Sequence, residues 1–295
     1  MNILIIGGSG FIGSHVADQL TLNNHKVTIF DKKESKWIKK NQKFFKGDIL
    51  DNTKLDQAIK NQDVVYNFAG ISDLNEAIKK PEETVNLNIL SVVKILESCV
   101  KYKLKKFVFA STIYTDSKEG SYYRCSKQAA EIYIKEYNRR YKLKYSILKY
   151  GSVYGIRSNE SNNIFRIIKK AINKKKLEYI GNLEAIREYI NVVDAAKASV
   201  EMLKKEYDNK SIILTGSYKT KVADILNMIR EIMDIKSKIN FVNKKYEGHY
   251  IRTPYSFIRD DTIKYTPKTH IDLGKGLLEL ITSINDEIKY KKNNN

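Results

Sequence analysis

Proline is scarce in this chain, three in 295 residues, and so are cysteine (two), histidine (four) and tryptophan (one). With so few prolines and no glycine-rich stretch, no flexible or stiff linker marks off independent domains. Cys99 and Cys125 both fall in apparently helical segments, so no disulfide framework is expected. His15, His25, His249 and His270 make no metal-ligand spacing, and no Ser-His-Asp or Cys-His arrangement offers a nucleophile. Long apolar runs are missing too, none approaching the roughly 18–20 residues of a membrane span. Met1 leads almost directly into "NILII" without a charged n-region, so a soluble, cytoplasmic protein with no membrane partner is expected. Acidic residues are in deficit, 34 against 53 basic ones, for a formal charge of +19. The lysines are spread along the whole chain, which reads as a compositional bias of solvated positions. No nucleic-acid partner is therefore expected, although a basic surface helps to hold an anionic small molecule.

What is present is an alternation of short apolar runs with longer amphipathic ones. "NILII", "KVTIF", "KFF", "DVVYNF", "KFVFA" and "KYSILKY" read as strands. Between them "FIGSHVADQLTLNN", "EETVNLNILSVVKILESCVKY" and "SYYRCSKQAAEIYIKEYNRRY" read as helices, the last with Ser121 as its N-cap. In the second, Val85, Ile89, Val92, Val93, Leu96 and Val100 keep one helical face. This pattern predicts an α/β fold, a doubly wound parallel sheet over residues 1–155 with 189–215 returning to it, and a smaller lobe over 156–295. The smaller lobe begins with a polar stretch and a helix, "IFRIIKKAINKKK", and ends in a helix near 273–288.

The first strand runs into "IGGSGFIG", and a helix follows at once. Glycines at Gly7, Gly10 and Gly13 permit a tight turn and let main-chain N–H groups approach a pyrophosphate at the helix N-terminus, with Phe11 and Ile12 opening that helix. Asp31 closes the second strand 18 positions after Gly13, where a carboxylate binds a ribose 2′-hydroxyl and repels a 2′-phosphate. The cofactor expected is NAD rather than NADP, with Lys32 and Lys33 as a countervailing charge. Asp48 and Ile49 in "GDIL" are placed to flank the adenine, and Phe68, Ala69 and Gly70 in "NFAG" to line the cofactor's middle, since open parallel sheets bind ligands at the carboxyl ends of their strands.

Tyr123 and Lys127 stand at i and i+4 of a helix and share a face. A phenol ionises near 10, and a neighbouring ammonium together with a positive nicotinamide ring favours the phenolate. Thr112, at the end of "KFVFAST", can present a hydroxyl to the same place and hold a substrate alcohol in line with Tyr123.

"GGSGFIG", Asp31, "GDI", "NFAG", "FVFAST", Tyr123-x-x-x-Lys127, "LKYGSVYG" and "REYINVVDAA" occur in order and at spacings that resemble the extended short-chain dehydrogenase/reductase family. Within it the likeness is to the NAD-dependent nucleotide-sugar epimerases and dehydratases, including the UDP-glucose/galactose 4-epimerases. It covers Met1 to about residue 205 and returns in "YTPKTHIDLGKGL". The resemblance implies a Rossmann domain and a C-terminal substrate-binding lobe. It makes Tyr123 the acid/base, Lys127 its electrostatic partner and ribose anchor, Thr112 the catalytic hydroxyl, and Asn88 an asparagine facing the cofactor. It also implies a nucleotide-sugar substrate, with its pyrophosphate on Arg187 and a second phosphate arginine at Arg252, and a homodimer through helices at 82–102 and 121–141. Ser152 stands in the substrate site where the family has asparagine, and Ser72 where galactose epimerases have lysine. Dehydratases carry an acidic pair directly after the Ser/Thr. This chain has Ile113 and Tyr114 there, then Thr115, Asp116 and Ser117, and only 11 positions separate Thr112 from Tyr123. The implied reaction is epimerisation at C4 through a transient 4-keto sugar. The alternatives are a nucleotide-sugar dehydrogenase/reductase, a 4,6-dehydratase, or a non-catalytic NAD-binding or RNA-binding protein.

Overall fold

The computed structural model describes residues 1–242, 249–252, 261–267 and 269–293. Residues 243–248 and 253–260, and Lys268 in the returning motif, lie outside these. The chain divides into two compact units. The first holds Met1–Tyr150, Ala195–Leu214 and the strand Thr262–Tyr265; the second holds 151–194 and the described parts of 215–253 and 266–295.

In the first unit the apolar runs make one eight-stranded sheet. Its order is Thr262–Tyr265, Lys210–Leu214, Lys144–Tyr150, Lys106–Thr112, Val64–Asn67, Asn2–Ile6, Lys26–Asp31 and Lys43–Lys46, every neighbour parallel. Ile3, Leu4, Ile5 and Ile6 are all fully buried. That is why "NILII" shows no polar alternation: a strand covered on both faces reads as a continuous apolar run. Each such side chain contributes about 1.5–3 kcal/mol of burial. The strand order reverses direction between Asn2–Ile6 and Val64–Asn67, so the carboxyl ends of these strands form a switch-point crevice. Among the described residues no helix is long and apolar enough to cross a membrane.

Two helical readings change. The segment around Asn88 is helical throughout Pro81–Lys101 as expected, but its middle, Asn86–Leu90, is a π-turn between helices Pro81–Val85 and Ser91–Lys101. The wider π-turn shifts the phase of the buried stripe, so Val85 is exposed while Val92, Ile95, Leu96 and Cys99 face the core. The helix Ser121–Tyr141 is capped by Gly120, not Ser121, and no side chain bonds its N-terminus. Gly120 has φ +103°, and a Cβ there would meet Arg124 and Tyr114 side-chain carbons at 2.9 Å. A short connection entering a helix this abruptly requires the left-handed backbone that glycine tolerates.

The second unit has a three-stranded sheet in the order Lys219–Lys221, Ile186–Asn191, Ser152–Tyr154 and a two-stranded one pairing Asn240–Val242 with Glu178–Ile180. Its core packs helices Asn163–Lys174, Val222–Ile232 and Leu273–Asn293 through residues such as Ile168, Leu226 and Leu280.

Candidate active site

At the switch point the glycine turn is held from two sides. Gly7 has φ +77°, and a Cβ on it would meet the Ala69 nitrogen at 2.6 Å. One on Gly13 would overlap the Gly7 carbonyl oxygen, whereas one on Gly10 would meet nothing closer than 3.2 Å. The Ser9 N–H donates to Asp31 Oδ2 at 3.1 Å, which ties the acid to the turn. Helix Phe11–Leu22 has no side-chain cap and no acidic residue in its first turn, so its leading N–H groups are left for a ligand. A close-packed turn, an uncapped positive helix end and a half-buried carboxylate together fit a dinucleotide. NAD would be held by Gly7, Gly10, Phe11, Ile12 and Gly13 through the main chain, and by Asp31 at a ribose.

The other candidates at this edge behave differently. Asp48 accepts from the Leu50 N–H at 3.0 Å and pairs with Lys32 at 3.0 Å. Partial burial works against its charge, yet those two partners hold its carboxyl below the usual range. Ile49 is a core residue, 6% exposed and packed in the cluster with Phe30 and Leu55, so only its backbone can reach a ligand. Phe68 stacks on Tyr66 with centroids 6.2 Å apart, and Ala69 N–H donates to Asn67 Oδ1. Gly70, at φ +137°, leaves room for Asn88. The Asn88 side chain is buried, and its amide is spent on protein: Oδ1 accepts from Ile71 N–H at 2.8 Å, and Nδ2 donates to Ile71 O and Ser126 Oγ. Ser126 in turn donates to the Tyr123 carbonyl at 2.8 Å. Asn88 thus ties the 70–71 loop to the helix that carries Tyr123.

Thr112 ends its strand, and Tyr123 and Lys127 stand on one face of helix Ser121–Tyr141. The Tyr123 hydroxyl is hydrogen-bonded to Thr112. Its ring lies in an apolar cluster with Ile71, Leu74 and Ala77, and packs edge-on to Tyr114 at 6.4 Å. Lys127 Nζ donates to Ala110 O at 2.9 Å and sits 4.6 Å over the Phe109 ring. Burial pushes the phenol up to about 12, opposed by the Thr112 bond, and pushes Lys127 down to about 8, opposed by Glu131. The expected lowering of the phenol by its lysine is not what is found: in the protein alone desolvation dominates, and Thr112 is the group that opposes it.

In the second unit Arg187, on strand Ile186–Asn191, lies over Tyr250, its guanidinium carbon 4.1 Å from the ring centroid. Arg187 Nη1 donates to Ile186 O at 2.9 Å, and Tyr250 is hydrogen-bonded to Ser152. Ser152 and Arg187 are thus brought together through Tyr250, which the sequence reading missed. Its only sequence signal was an aromatic two residues before Arg252. Arg252 itself is exposed, in a stretch attached by Ile186 N–H to Ile251 O.

Residues 3–215 match the model of the NAD dependent epimerase/dehydratase family. The chain belongs to that family. A Methanocaldococcus jannaschii protein provisionally named UDP-glucose 4-epimerase is 29% identical over 315 residues, covering 99% of each chain. A dTDP-D-glucose 4,6-dehydratase of Dictyostelium discoideum is 30% identical over 69% of this chain and 55% of its own. Among solved structures, the Thermotoga maritima UDP-glucose 4-epimerase superposes with TM-score 0.86 at 23% identity, covering 98% of this chain and all of that one. The family is NAD-dependent, in keeping with the turn and acid described above.

Proposed function

We propose that the protein is an NAD-dependent nucleotide-sugar epimerase acting at C4, with Thr112, Tyr123 and Lys127 as its catalytic residues. The observation that carries this reading is a buried Thr–Tyr–Lys set without an adjacent free carboxylate. Ile113 and Tyr114 follow Thr112, and the first acid of the turn, Asp116, is bound to Lys149 at 2.6 Å. Elimination of water needs an acid or base beside the sugar's C5 and C6, and Ile113 and Tyr114, the two residues directly after Thr112, supply none. Bound NAD supplies a reversible hydride acceptor. The chain's own residues handle the proton: Thr112 orients the C4 hydroxyl, Tyr123 takes its proton and later returns one, and the Lys127 ammonium stabilises the phenolate between those events. Arg187, held over Tyr250, offers a guanidinium whose planar pair of donors suits a pyrophosphate, with Ser152 and Arg252 in the same substrate region. Relatives named for UDP-sugar epimerisation support the substrate class.

The test is a panel of UDP- and dTDP-hexoses incubated without added reductant, with products identified by NMR. Isomers of unchanged mass, absent with Tyr123→Phe, are expected. A product lighter by one water, or turnover only with stoichiometric NAD or NADH, would reject epimerisation. The 82–102 and 121–141 segments carry exposed Val85, Leu90, Tyr122, Ile132, Tyr133 and Tyr141, and we assign this face to a second copy of the chain.

A further inference from the structure

Beneath the reacting set lies a buried group of charges that the proposed reaction does not use. Lys149, on strand Lys144–Tyr150, is 2% exposed and pairs with Asp116 at 2.6 Å and with Glu131 Oε2 at 3.6 Å. Glu131 is itself buried and accepts a hydrogen bond from the hydroxyl of Ser111, with Thr115 beside it. It stands one turn beyond Lys127 on the same helix, so two ammoniums, Lys127 and Lys149, face two carboxylates, Glu131 and Asp116. The formal charges cancel.

The same helix also grips the short turn between Thr112 and Tyr123. Arg124 Nη1 donates to Ser117 O at 3.0 Å, and Gln128 Nε2 donates to Thr115 O at 2.8 Å. Arg124, Gln128 and Glu131 follow i, i+4, i+7 spacing, one side chain per turn. Thr115 Oγ1 then donates to the Thr112 carbonyl at 2.9 Å, which carries the hold back to the reacting hydroxyl. The residues at 115–117 are the ones that depart from the family pattern, and each has a partner in this row or in Lys149.

We propose that Glu131 is a positioning residue: it anchors the 111–116 turn to the catalytic helix and supplies the counter-charge that keeps Lys127 an ammonium beside Tyr123. Removing its charge takes away the carboxylate that favours the Lys127 ammonium directly, and Lys127 then gives up its proton more readily whether or not Lys149 is present. The groups facing this site are Lys127 on its own helix, Ser111, Thr115 and Asp116 on the turn, and Lys149 and Tyr145 on the neighbouring strand. Asp261, bound to Lys135, lies within electrostatic reach of Lys149 and Tyr145. The inference takes Thr112, Tyr123 and Lys127 as the reacting set, as proposed above, but its test needs no substrate.

The Lys127 side-chain nitrogen is followed by nitrogen-15 NMR in the ligand-free protein, assigned with Lys127→Met and titrated from neutral to alkaline pH. The wild type should titrate near 8, and Glu131→Gln should titrate lower by about one pH unit. Should Glu131→Gln alone fail to fold, Glu131→Gln with Lys149→Met removes one charge of each sign. That pair should also titrate below the wild type. An unchanged Lys127 midpoint in either folded variant overturns the proposal. A wild type that fails to turn over any nucleotide sugar would sink the catalytic reading while leaving this result standing.

Discussion

Burial holds the Tyr123 phenol up to about 12 and presses Lys127 down to about 8, so two groups with similar ordinary values are driven apart in pKa. Lys127 titrates below its ordinary value, hence its ammonium is lost as pH rises through about 8. Turnover is expected to decline over that window, and a pH profile of kcat checks it. The low residual activity of Lys127→Met should show no such limb. Tyr123→Phe should lower kcat by about 10²–10⁴-fold while leaving NAD binding, read by calorimetry, within a few-fold of wild type. Asp31→Ala should weaken NAD about 10-fold or more and narrow the preference over NADP, since a charge-assisted hydrogen bond is lost and a repulsive charge removed. A wild-type protein that prefers NADP by a large factor would contradict that role. Tyr123, Lys127 and Thr112 were legible because spacing on one helix and position at a strand end are local properties. The inward turn of Asn88, the burial of Ile49 and the Tyr250 platform under Arg187 were not, because each depends on a partner distant in sequence.

Among the elements, the glycine turn separates packing from binding. Gly13→Ala would drive a methyl into the Gly7 carbonyl, and overpacking of this kind costs about 1–3 kcal/mol, measurable by denaturant unfolding. Gly10→Ala meets no contact below 3.2 Å and should unfold within about 1 kcal/mol of wild type, yet bind NAD markedly more weakly. Equal loss of stability in both variants would show that the turn is structural only. The strands could be read from their apolar runs, and the crossover helices from their period. The π-turn could not, because its extra residue is fixed by Asn88 reaching Ile71 rather than by any local preference. The N-cap at Gly120 was missed for a related reason: the backbone direction demanded by the short 113–120 connection outweighs the capping preference of Ser121.

Across the whole molecule, the exposed apolar face on the 82–102 and 121–141 segments makes a prediction separable from the chemistry. Sedimentation should give a dimer, and Ile132→Lys with Tyr133→Glu should give a folded monomer; a wild-type monomer at all concentrations would reject the assignment of that face. The measurement closest to the central claim uses a UDP-hexose deuterated at C4, incubated with the purified protein in ordinary water. Epimerisation by oxidation and return at C4 predicts a C4 epimer that keeps its deuterium, formed without added reductant and not formed by Tyr123→Phe. An epimer whose label has washed out to solvent, or a dehydrated product in its place, would contradict the account.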